Sequence, residues 1–82
     1  MSVSEYLALP ADNPALGIRN RIQRATENAR ACRDYSGQLR DEAHTRRRFG
    51  DVIGATDLES DIAEADRSAA SWEALADRLA GE

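Results

Sequence analysis

Lysine is absent from this 82-residue chain, and cysteine, histidine and tryptophan each occur once. The lone Cys32 excludes an internal disulfide and fits a reducing compartment. The lone His44, with no second imidazole and no cysteine pair, leaves no zinc ligand set within one chain. Aromatic residues are 5% of the chain, too few for a base-stacking surface. No apolar run approaches the roughly 20 residues of a membrane span, and the first nine residues lack the basic start and apolar centre of a secretion signal. The expectation is a cytoplasmic protein that does not enter a membrane and carries no metal or cofactor.

What the chain does contain is helical periodicity. Ile18, Ile22, Ala25, Ala29, Cys32, Ser36, Leu39 and Ala43 recur at spacings of four and three, and so do Leu58, Ile62, Ala65, Ala69, Trp72, Ala76 and Leu79. Folding the chain back near residue 52 sets Ala43 against Ile62, Leu39 against Ala65, Cys32 against Trp72 and Ala25 against Leu79. All these pairs sum to 104 or 105, so a single antiparallel register satisfies them. Large residues face small ones, the interdigitation a tight coiled-coil seam needs. The flanks agree: Arg33 faces Glu73, Arg40 faces Asp66 and Arg47 faces Glu59, each pair summing to 106.

Punctuation sets the expected elements. Ser2 and Glu5 have capping-box spacing and Pro10 closes a short helix over residues 1–9. Asn13 as N-cap and Pro14 at the first helical position start a long helix over 14–48, continuous through Gly37. Gly50 and Gly54 mark a loop over 49–56, and Thr56 with Glu59 forms a capping box for a second helix over 57–80, ended by Gly81. The fold class is all-α: one domain over residues 1–82, a coiled-coil-like antiparallel hairpin with a short N-terminal helix. One seam is thin for a chain of this size, which favours a homodimer or higher oligomer, or a partner that completes the core. Ile18 and Ile22 overhang the second helix and need cover from Tyr6, Leu7 and Leu9 or from another protomer. Ala63, Ala70 and Ala74 form an off-seam stripe that would admit a close neighbour.

Charge is divided between the helices. Residues 14–49 hold nine arginines against four acids, and residues 50–82 hold Arg67 and Arg78 against nine acids. The chain as a whole is at −4. Opposite flanks of this kind fix register more than they add stability.

Signals for chemistry are few. Asp41-Glu42-Ala43-His44 spells a helicase-type DEAH string, but the chain lacks the glycine-rich phosphate loop and the length that motif works with. Asp57, Asp61 and Glu64 share a face near a helix start, where acids are favoured by the helix dipole without any site. No enzyme is expected. The sharpest features are Arg46-Arg47-Arg48 and, beside them, the apolar residues Phe49, Val52 and Ile53 at the hairpin tip. Three large apolar side chains bordered by Arg46 and Arg48 make an anchor with a polar rim. The expected function is a non-catalytic protein-interaction module, of the type of small phage or mobile-element inhibitors and adaptors, that binds a protein partner. The alternative is a phosphate ligand, nucleic acid or nucleotide, held by Arg19, Arg21, Arg24, Arg46 and Arg48 in a pocket shared between protomers.

Overall fold

The computed structural model describes residues 11–81, and the short helix expected over 1–9 lies outside the described residues. Two helices make up the described fold: α1, Ile18–Arg48, and α2, Val52–Ala80, packed against each other along their length. No strand occurs among the described residues. α1 runs unbroken through Gly37, where the seam continues in register on either side.

α1 starts four residues later than Asn13 and Pro14 suggest. The Asn13 side chain does accept a backbone bond, from the Ala15 amide at 3.0 Å, and the Leu16 amide closes a turn on the Asn13 carbonyl. That turn is single. Gly17 follows in an extended conformation (φ −61°, ψ 152°) and becomes the N-cap of the true helix, without a side-chain cap. α2 starts earlier than expected, at Val52, and Thr56 sits inside it with its hydroxyl bonded back to the Val52 carbonyl at 2.8 Å. The connection expected over 49–56 is therefore the three residues Phe49, Gly50 and Asp51.

The seam is built from small residues. Ala25, Ala29, Cys32, Ser36 and Ala43 of α1 and Ala55, Ala65 and Ala69 of α2 are buried, which lets the two backbones approach closely. Bulk is concentrated in one cluster: Tyr35, Leu39 and Ala65, with Leu58 and Ile62 packed against it. Tyr35 and Asn28 lie beside the expected ladder, yet both are buried, so the buried stripe of α1 is wider on one flank. Burial also raises the Cys32 thiol above its ordinary pKa, with Arg33 opposing, so the thiol is a packing group held protonated.

The other flank carries the ion pairs. Arg33 donates to Glu73 at 2.8–2.9 Å, Arg40 bonds Asp66, and Arg47 bonds Glu59. These are the three pairs the sequence register requires. Buried Ser36 anchors the middle rung, donating to the Asp66 carboxylate and accepting from Arg40 Nε at 3.4 Å.

The hairpin is one helix layer thick, 49 × 23 × 14 Å, with a radius of gyration of 15.0 Å. A compact chain of this length has about 12 Å. Ile18 at the open end is 44% exposed, as its overhang implies.

Candidate functional site

The hairpin corner is assembled by three linked devices. Gly50 is the one described residue with positive φ (+83°) and occupies the left-handed position that ends α1. Its amide donates to the Arg47 carbonyl at 3.1 Å and the Asp51 amide to the Arg46 carbonyl at 2.8 Å. Together these make a Schellman cap. The apolar contact that usually accompanies such a cap is replaced by an ion pair, Arg46 Nη1 to Asp51 Oδ2 at 3.6 Å. Asp51 then serves α2 as well, its side chain accepting the Gly54 amide at 2.9 Å as an N-cap.

Gly54 completes the frame by having no side chain. A β-carbon there would lie 2.6 Å from Arg46 Nη1 and closer still to Asp51 Oδ2. Asp51 thus closes the first helix with its amide, opens the second with its carboxylate and holds Arg46, over a position that only glycine leaves open. Arg46 is tied from its other side by Glu42 at 2.8 Å.

On this frame Phe49, Val52 and Ile53 point outward, 81%, 61% and 78% exposed. They do not tuck back to cap the bundle. With Ile18 they are the exposed large hydrophobic residues among those described. No protein-family model, curated protein or solved structure matches this chain.

The arginines sort into bound and unbound. Arg46 is held by Glu42 and Asp51, and Arg47 by Glu59. Arg48 is exposed and makes no ion pair among the described residues. At the open end Arg21 grips Asp12 through two bonds, Nε at 3.1 Å and Nη2 at 2.8 Å. That clamp holds the Asp12 carboxyl below its ordinary range. Arg19 and Arg24 form no ion pair among the described residues, but α1 places Arg24 about 36 Å from Arg48. The five arginines of the phosphate-ligand alternative therefore do not converge within one chain, and two of the five are engaged.

Two open grooves lie along the ion-pair flank. One, of about 500 Å³, is floored by Ala29 and Ala76 between Arg33 and Glu73; the other, of about 430 Å³, runs over Ala43 and Ile62 between Arg47 and Glu59. Their walls are the rungs of the ladder, already bonded to each other. Among the described residues no group of three or more histidine, cysteine, aspartate or glutamate side chains is placed to hold a metal ion. No described helix is long and apolar enough to cross a membrane.

Sequence reasoning located the apolar trio and missed its frame. Asp51 directly before an apolar pair is an N-cap signal, obscured because Gly50 and Gly54 on either side read together as loop.

Proposed function

We propose that this chain is a non-catalytic interaction module that inserts the corner formed by Phe49, Val52 and Ile53 into a concave apolar site on a protein partner. The supporting observation is the exposure of all three side chains on a corner whose polar groups bond one another. A preformed convex anchor loses little freedom on docking. Burying three side chains of this size contributes about 4–9 kcal/mol in total. Association costs a comparable amount, about 4–15 kcal/mol. The trio is therefore a centre that needs a rim. Arg48, unpaired beside Phe49, supplies one rim contact and calls for a carboxylate on the partner.

Charge favours protein over lipid as the partner. Between Glu42 and Glu59 three arginines meet four acids, and the chain carries −4, so an anionic bilayer gains no attraction. Arg46 takes a structural part under this reading, with Arg48 at the contact.

The test is affinity capture from an extract of the native host with the benzophenone analogue of phenylalanine at position 49, followed by identification of the crosslinked species. One protein is expected to crosslink, to be lost on Ile53→Asp, and to survive Asp34→Ala on the remote face of α1. Crosslinking that ignores Ile53→Asp overturns the proposal, as does capture of nucleic acid or lipid in place of protein.

A further inference from the structure

The ion-pair ladder occupies one broad face of the hairpin, and the opposite face is organised differently. Heptad spacing puts Asn28 and Tyr35 of α1 with Ser68 and Leu75 of α2 on that second face, because Arg33, Arg40, Glu73 and Asp66 fix the first. Its middle third is uncharged. Tyr35 is buried there, and Ala31, Trp72 and Leu75 are half-buried. A single layer 14 Å thick leaves nothing else among the described residues to cover them.

Charge on this face is segregated lengthwise. At the open end stand Arg24 and Arg78, neither in an ion pair among the described residues; Arg21 beside them is closed by Asp12. At the corner end stand Asp57, Asp61 and Glu64, also without ion pairs, together with Glu42, which is bonded to Arg46. Asp57, Asp61 and Glu64 lie level with α1 residues 48, 44 and 41 in the seam register. The midpoint between the two charge groups falls beside Tyr35 on α1 and Ser71 on α2. In one heptad row of α2, Glu64 and Arg78 are each seven residues from Ser71.

A pattern that is positive at one end, neutral in the middle and negative at the other complements itself when inverted. We infer that this face receives a second copy of the chain running in the opposite direction, with a two-fold axis near Tyr35 and Ser71. Inversion brings Arg24 and Arg78 of each copy to the acidic end of the other, and the symmetry makes every contact twice. Trp72, Leu75, Ala31 and the edge of Tyr35 then gain apolar cover across the centre. The corner trio lies outside this central contact, at the two ends of the dimer.

The inference stands apart from the corner proposal and is tested without knowing any partner. Sedimentation equilibrium of the full chain is expected to give twice the 9.0 kDa protomer mass. Arg24→Glu with Arg78→Glu should raise the dimer dissociation constant about tenfold or more. Adding Asp61→Arg and Glu64→Arg to that pair should restore most of it. Under oxidation Ser71→Cys should crosslink to its own copy, while Ser60→Cys on the outer face of α2 should not. Circular dichroism confirms that each variant is folded. A chain that stays monomeric at hundreds of micromolar overturns the inference. A dimer indifferent to the charge reversals, or one linked through Ser60→Cys and not Ser71→Cys, overturns it too.

Discussion

Gly54→Ala should have opposite effects in two backgrounds. In an ordinary helix the change from glycine to alanine stabilises by about 1 kcal/mol, somewhat less in a first turn. Here the new β-carbon would lie 2.6 Å from Arg46 Nη1 and closer to Asp51 Oδ2, so the Asp51 side chain has to leave its place. Its departure forfeits the cap on the Gly54 amide, worth about 1 kcal/mol. It also breaks the Arg46 pair, which is half-exposed and adds only about 0–1 kcal/mol. Gly54→Ala alone is therefore expected to be neutral or to destabilise by up to about 1 kcal/mol. With Asp51→Ala already in place there is nothing to displace, and the same change should stabilise by about 0.5–1 kcal/mol. The coupling between the two sites is then about 1–2 kcal/mol. For a domain of this size each kcal/mol moves Tm by about 4–8 °C, so thermal unfolding by circular dichroism at 222 nm resolves the cycle. Equal effects of Gly54→Ala in both backgrounds refute the shared-carboxylate frame.

Four further outcomes follow from the same geometry. Gly50→Ala should cost about 1–2 kcal/mol because its φ of +83° is left-handed, and Gly50→Asn less; denaturant titration measures both. Ala65→Leu should destabilise by about 1–3 kcal/mol, since Ala65 is fully buried against Tyr35 and Leu39, and an unchanged midpoint would remove that cluster from the core. Phe49→Asp and Ile53→Asp should leave Tm within about 1–3 °C while abolishing partner capture. Acid should weaken the hairpin: Ser36, Arg40 and Arg33 hold the Asp66 carboxyl below its ordinary pKa. A lowered folded pKa stabilises the fold above about pH 4, and that contribution is lost as pH falls through the folded value. Asp66→Asn should flatten this acid limb in urea titrations taken from pH 6 to pH 2.5.

The register of the hairpin was legible because two independent patterns carried it. The apolar ladders and the Arg33, Arg40 and Arg47 pairs each require the same antiparallel pairing, and the three salt bridges form as the sequence demands. The width of the buried stripe was not legible. Tyr35 and Asn28 lie beside a seam of strict four-and-three spacing, and only small seam residues such as Ser36 and Ala29 let the helices close far enough to bury them. Both helix starts were misplaced for local reasons. Asn13 spends its side chain on a single turn that Gly17 interrupts, and Thr56 looked like a cap because Asp51 was hidden between two glycines. Of the candidate site, the residue types at the tip could be read directly. Their display could not, because it depends on whether Phe49, Val52 and Ile53 turn inward or outward. A left-handed glycine and one carboxylate decide that.

The heptad repeat of the ladder has a mechanical consequence. Its rungs stand seven residues apart on both helices, and Arg33 already reaches two of them, Glu73 and Asp66 at 3.3 Å. Sliding α2 by one heptad would hand Asp66 to Arg33 and Glu59 to Arg40, so two of three rungs would re-form. A slide of that size moves one helix about 10 Å along the other. The flanks, expected to fix register, therefore discriminate weakly against a slip of one whole heptad, and the three-residue corner with no slack forbids it. The corner acts as the ratchet pawl of the hairpin. Because only Phe49, Gly50 and Asp51 connect the helices, the register set at one end of the 49 Å rod is kept to the other, and a partner that grips the apolar tip leaves it unchanged.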